Sequence, residues 1–166
     1  AFLCGNRDFV IGAGFTAATG VRLIEDPTVV ELHGHRVVLM HGDTLCTGDA
    51  AYQAFRAQVR DPRWQAAALA LPLAERLALA RGLRKGSETA KVGKREAIMD
   101  VAPEAVEAAF RASGCDVMIH GHTHRPGRHV HRVDGRDCVR WVLPDWYEGG
   151  GYLAVDASGI EAVRLD

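Results

Sequence analysis

Three short turns, each setting glycine beside an amide or imidazole donor, interrupt this chain directly after apolar, strand-like runs. They are Gly5-Asn6-Arg7-Asp8, His41-Gly42-Asp43 and His120-Gly121-His122-Thr123-His124. A turn that delivers a side chain to a shared centre needs backbone conformations or close approaches that a Cβ would block, and glycine supplies them. The runs before the second and third turns, Arg36-Val37-Val38-Leu39-Met40 and Asp116-Val117-Met118-Ile119, are short and rich in β-branched residues, as strands are. Loops at strand ends are where layered proteins place their chemistry. Asn and His are donors of borderline softness that suit Mn²⁺, Zn²⁺ or Fe better than Ca²⁺.

The rest of the chain supports an α/β layering. Residues 1–4 read as a strand end, 9–20 as a short helix stopped by Gly20, and 29–40 as a hairpin turning at His33-Gly34-His35. From 49 to 101 the texture changes to Ala, Leu, Arg and Lys with apolar residues spaced by three and four, predicting two or three helices broken near Gly82–Gly86 and at Gly93. A helix over 102–113 ends at Gly114, and strands follow over 116–120, 127–133, 138–143, 152–156 and 160–165, with turns at Asp134-Gly135 and Ser158-Gly159. The expected architecture is one domain over 1–166 carrying a helical insertion, or cap, over 49–101.

Composition narrows the function classes. A net charge of −1 argues against a broadly cationic nucleic-acid binder. Cys4, Cys46, Cys115 and Cys138 have no metal-binding spacing and read as small buried residues of a reducing compartment. No run of about 18 apolar residues predicts a membrane-spanning helix. The start, AFLCGNRDF, carries no charged leader and reads as a strand entered midway, so the chain is expected to be part of a longer one. His33, His35, His129 and His131 fall in a hairpin turn or on a strand face and read as ordinary. His120 reads as a residue that packs or hydrogen-bonds behind a ligand imidazole and orients it, and Asp43 as one that accepts a ring N–H from His41 or a neighbour.

With GNRDF (5–9), VVLMHGDTLCTGDAAYQAFR (37–56), AIMDV (97–101) and IHGHTHRP (119–126), the chain resembles the calcineurin-like binuclear metallophosphoesterases. Within them it is most similar to the UDP-2,3-diacylglucosamine pyrophosphatases of lipid A biosynthesis. The resemblance implies a layered β-sandwich flanked by helices, with Asn6, His41 and His122 on one metal and His124 on the other, two Mn²⁺ per intact site. Where the superfamily usually has a His after Gly-Asn, Arg7 stands here. A guanidinium binds phosphate oxygens bidentately but donates no proton near neutral pH, which makes Arg7 the expected phosphate-binding catalytic residue. Asn6, Arg7, Asp49, Tyr52, Ser87, Lys91, Lys94 and His122 are the implied substrate contacts.

The same resemblance implies cleavage of UDP-2,3-diacylglucosamine to UMP and 2,3-diacylglucosamine 1-phosphate. The family's Asp-x-His and Gly-Asp-x-x-Asp motifs should precede Gly5, so 1–166 is expected to be a partial, inactive form of the domain. Arg56, Arg60, Arg63, Arg76, Arg81, Arg84 and Lys85 give the insertion a basic surface suited to an anionic membrane face. The implied location is cytoplasmic, peripheral on the inner membrane of a Gram-negative bacterium. Two alternatives remain: a metallophosphoesterase for a soluble nucleotide or phosphoprotein, and a non-catalytic remnant of the fold.

Overall fold

The computed structural model describes residues 1–91, 99–147 and 149–165, with side chains given for 1–90 of the first span. Its core is a five-stranded mixed sheet built around the two strands that carry the histidine turns. β4 (His35–Met40) and β5 (Val117–His120) are neighbours, parallel, and in register so that Met40 faces His120. β7 (Arg136–Val142) lies parallel on the far side of β5, and antiparallel strands β3 (Thr28–Leu32) and β6 (Gly127–Val133) close the two edges. Central parallel strands are covered on both faces and read as continuous apolar runs, which is why Val37-Val38-Leu39-Met40 and Val117-Met118-Ile119 show no polar alternation.

One face of this sheet is sealed by α5 (Pro103–Ser113). Its buried residues Val106 and Phe110, one turn apart, enter a cluster with Val38, Met40, Met118, Val133 and Cys138. Truncating Phe110 to Ala would cost about 3–5 kcal/mol. Pro103 opens the helix, and Gly114 at φ 63° closes it with an N–H to the Phe110 carbonyl. Two hairpins turn tightly through His33-Gly34 and Asp134-Gly135, all four residues at positive φ as such two-residue turns require. Two smaller sheets stand apart from the main one: β1 (Phe2–Leu3) parallel with β2 (Leu23–Ile24), and the hairpin β8 (Gly150–Asp156) with β9 (Gly159–Leu165). The fold class is α/β.

The expected helix over 9–20 is shorter, α1 (Ala13–Thr19), and begins after the Gly5–Asp8 turn has run on through 9–12. The helical stretch from Ala50 to Lys91 also breaks differently from the sequence reading. α2 (Ala50–Arg60) and α3 (Pro62–Ala70) separate at Asp61, because the residue before a proline avoids helical backbone. Asp61 then caps α3, accepting from the Arg63 and Trp64 amides at 2.7 and 3.2 Å. α4 (Leu73–Lys91) follows Pro72 and runs unbroken through Gly82 and Gly86. Each glycine costs a helix about 1 kcal/mol, which strong formers on either side outweigh. Gly93, Lys94 and the first residues of AIMDV lie outside the described residues, as does the Lys91 side chain.

Candidate metal centre

Parallel register brings the second and third turns together. Since Met40 pairs with His120, His41 and Gly121 are the next residues out, and the Gly121 amide donates to the His41 carbonyl at 3.1 Å. Both turns therefore lie at the carboxyl ends of adjacent parallel strands, the usual ligand position in such sheets. The His41 and His122 rings meet edge to face with centroids 4.8 Å apart. His122 and His124 both adopt left-handed backbone, at φ 68° and 54°, and both border the same cavity. Such conformations cost non-glycine residues roughly 1–2 kcal/mol each and persist where the surroundings hold them.

Gly42, at φ 104°, could not be another residue. A Cβ there would lie 2.5 Å from His120 Nδ1 and 3.2 Å from the Gly121 carbonyl oxygen. His120 fills that space from the neighbouring strand. Its Nδ1 donates to the Gly121 carbonyl at 2.9 Å, leaving Nε2 to accept from Arg140 Nη1 at 3.0 Å. Burial pushes this imidazole down to about 4, against the Gly121 bond and with the nearby Arg140 charge, so it is neutral at pH 7. Of the two roles expected for His120, packing or hydrogen bonding to a ligand imidazole, the structure shows packing: the ring lies behind Gly42 and holds the turn.

The first turn reaches the same place from outside the main sheet. A Cβ on Gly5 would lie 2.8 Å from His41 Nε2, so the glycine is what lets the Asn6 turn close on that ring. Asn6 hydrogen-bonds the Tyr52 hydroxyl, and the Tyr52 ring lies 5.5 Å from that of His122. Arg7 donates to Ser87 Oγ at 3.3 Å, which ties the turn to α4. Asp8 accepts the Gly5 amide and so braces its own turn.

Behind His41 lies a buried acidic pair. Asp43, fully shielded, has Oδ1 3.2 Å from His41 Nδ1, in reach though off the line of a straight hydrogen bond. Its Oδ2 accepts from the Tyr52 hydroxyl at 2.7 Å and from Arg56 Nε at 2.9 Å. Burial opposes its charge, but His41, Tyr52 and Arg56 together hold the carboxyl well below the ordinary range. Burial and the Asp43 hydrogen bond push the Tyr52 hydroxyl upward. Asp26 accepts the His41 backbone amide at 3.1 Å, and burial raises its carboxyl. Nothing in the sequence pattern singled out Asp26, since its role depends on strand pairing. Arg56 and Arg60, expected on the basic surface, instead point inward to this site.

The cavity between these turns, α2 and α4 holds about 530 Å³. Asn6, His122 and His124 border it, and Phe55, Leu83 and Met99 add apolar lining. Asp49 and Ser87 also line it; Asp49 additionally caps α2, accepting the Tyr52 amide at 3.1 Å. Asn6, His41 and His122 could hold part of the shell of a borderline divalent cation. His124, on the cavity's border, has Nδ1 3.2 Å from Asp145 Oδ2 and its ring against Tyr147. Among the described residues no cluster of three or more His, Cys, Asp or Glu side chains forms a complete metal shell.

Comparison with known proteins gives this geometry a lineage. The UDP-2,3-diacylglucosamine hydrolase of Xanthomonas campestris pv. campestris strain B100 is 50% identical over 171 residues, covering 99% of this chain and 69% of that protein. The chain belongs to the UDP-2,3-diacylglucosamine hydrolase family. Family members from Aromatoleum aromaticum and Chromobacterium violaceum are each 52% identical, over 95% and 97% of this chain. The chain spans 64% and 67% of their lengths, about two thirds of a full family member. No family model matches. Among solved structures, Vps29 complexed with Zn²⁺ from Entamoeba histolytica overlays at a TM-score of 0.33 and 14% identity, covering 99% of this chain and 77% of that one, too loosely to bear on the argument.

Proposed function

We propose that the protein carrying this chain hydrolyses the pyrophosphate bond of UDP-2,3-diacylglucosamine, giving UMP and 2,3-diacylglucosamine 1-phosphate. The observation that carries the reading is the mixed lining of the cavity. Phosphate-type chemistry from Asn6, His122 and His124 is joined by apolar lining from Phe55, Leu83 and Met99, a mixture suited to a headgroup joined to acyl chains. Burial of each acyl CH₂ is worth about 0.8 kcal/mol. The names of relatives at about 50% identity point to the same substrate.

In this reading Asn6, His41 and His122 hold one Mn²⁺ and His124 contributes to a second. Such a pair supplies Lewis-acid polarisation of the scissile phosphate and offsets charge on the leaving oxygen. Arg7, released from Ser87, binds a phosphate oxygen through its planar fork. His41 is kept in the tautomer that leaves Nε2 free by the Asp43 carboxylate beside Nδ1. Asp49, Tyr52 and Ser87 contact the sugar or phosphates, and Lys91 and Lys94 the charged part of the substrate. The helices of 49–101 act as the cap.

Access to a lipid substrate comes from the membrane surface. No described helix is long and apolar enough to cross a bilayer. Leu69, Leu73 and Leu77 are exposed on α3 and α4, and Arg76, Arg81 and Lys85 are exposed on α4. That combination suits peripheral attachment to an anionic leaflet, the cytoplasmic face of the inner membrane. A non-catalytic role for the chain by itself draws on the incomplete donor shell. The test is Mn²⁺-dependent UMP release by the protein carrying this sequence. His122→Ala should abolish it, and turnover unchanged in that variant would refute the assignment.

A further inference from the structure

The turn bearing Asn6 has little sheet to hold it. β1 is two residues long and pairs only with the two residues of β2, whereas His41 and His122 extend from the five-stranded sheet. Something else must fix the distance between Asn6 and the imidazoles, and α2 is placed to do so.

Tyr52, Arg56 and Arg60 recur every four residues along α2, which aligns them on one face at roughly 6 Å intervals. Each meets a different part of the site. Tyr52 bonds Asn6 and Asp43. Arg56 presents Nε to Asp43 at 2.9 Å and Nη2 towards Asp26 at 3.7 Å, the two carboxylates that touch the ring and the backbone amide of His41. Arg60 donates through Nη2 to the carbonyls of Cys4 and Gly5, at 3.2 and 3.1 Å, with its guanidinium 5.9 Å from the Phe9 ring centroid. These are the last two carbonyls before Asn6.

We infer that α2 is the strut that sets the Asn6 turn in register with His41, with Arg56 and Arg60 as its positioning residues. Neither arginine needs to touch substrate. Arg60 satisfies two backbone acceptors that β1 is too short to pair, and Arg56 spans two carboxylates as only a fork can. Two acids share that one guanidinium, so a negative surplus stays behind the His41 ring and favours its binding a cation. The first helix of the insertion is therefore part of the site's frame. This rests on the metal reading proposed above.

Cobalt titration of the protein carrying this chain tests it, with Co²⁺ absorption bands reporting both affinity and coordination geometry. Arg60→Met and Arg56→Met should each weaken Co²⁺ binding by about 10- to 100-fold and alter the bands, while circular dichroism keeps the native helix content. Arg60→Lys, which can still reach a carbonyl, should recover most of the affinity, and Arg132→Met on the exposed β6 surface should change nothing. Co²⁺ affinity and bands equal to the parent protein in Arg60→Met would overturn the inference while leaving the metal site standing. No Co²⁺ binding by the parent protein would remove the metal reading and the inference with it. If the Met variant fails to fold, Arg60→Gln, which keeps a single amide donor, takes its place, and unchanged affinity there is equally fatal.

Discussion

His120 makes the stability of this protein fall with acid over a window set by its burial. The ring is 1% exposed and its pKa is pushed from 6.5 down to about 4, chiefly by loss of water, with the Gly121 bond opposing and the Arg140 charge assisting. Between those values the unfolded chain binds a proton that the folded chain refuses, so stability declines as pH drops through 6.5 and levels off below about 4. Each unit within the window is worth about 1.4 kcal/mol. Going from pH 7 to pH 5 crosses about 1.5 units of it, a loss of about 2 kcal/mol from this one ring. Exposed His129 and half-buried His131 shift in the same direction and add a background, so the measurement needs a reference. His120→Gln provides it, because an amide offers one donor and one acceptor and does not titrate. Urea unfolding followed by tryptophan fluorescence at pH 7 and pH 5 should show the parent losing about 2 kcal/mol more than the variant. Equal losses would refute the claim that His120 is buried neutral and would undo the tautomer assigned to it.

Gly86→Ala should stabilise the protein by up to about 1 kcal/mol, since it lies within α4 and a Cβ there meets nothing within 4 Å; a lowered melting temperature would show that the helix depends on glycine there. Leu73→Glu together with Leu77→Glu should abolish flotation with vesicles rich in phosphatidylglycerol, because 64% and 48% of those side chains are exposed beside the basic residues of α4. Flotation that is unaltered, or no greater than with neutral phosphatidylcholine, would exclude this face as the membrane contact.

Periodicity made the main sheet legible. Apolar runs such as 37–40 and 117–119, and hairpin turns such as Asp134-Gly135, carry their signals locally, and the structure places strands and turns there. Glycine signals worked where the backbone leaves the right-handed region, at Gly20 and Gly114, and failed at Gly82 and Gly86, where a long helix absorbs them. The site was legible only as far as its turns. Asn6, His41 and His122 announce themselves beside glycine, but the supporting shell depends on pairing that no local pattern encodes. His120 lies behind Gly42 because β4 and β5 run parallel with Met40 opposite His120. Asp26 reaches the His41 amide because β3 folds back antiparallel to β4, with Thr28 opposite Leu39.

The arginines of α2 show why composition misleads most at this level. On a helix such as α2, whose charges are the two arginines, a residue every fourth position reads equally as a solvated stripe or as an inward face, and only the neighbouring elements decide. Here the decision follows from acceptors. Asp26, Asp43 and the carbonyls of Cys4 and Gly5 are polar groups that the packed turns remove from much of the solvent, and α2 is the element that brings donors to them. Leaving such groups unpaired costs about 1–3 kcal/mol each, more for a carboxylate, and the two guanidinium groups of α2 pair them. A chain that gathers imidazoles at strand ends thereby creates the demand that draws its cationic helix face onto the site, and the same contacts that satisfy the backbone fix where the donors point.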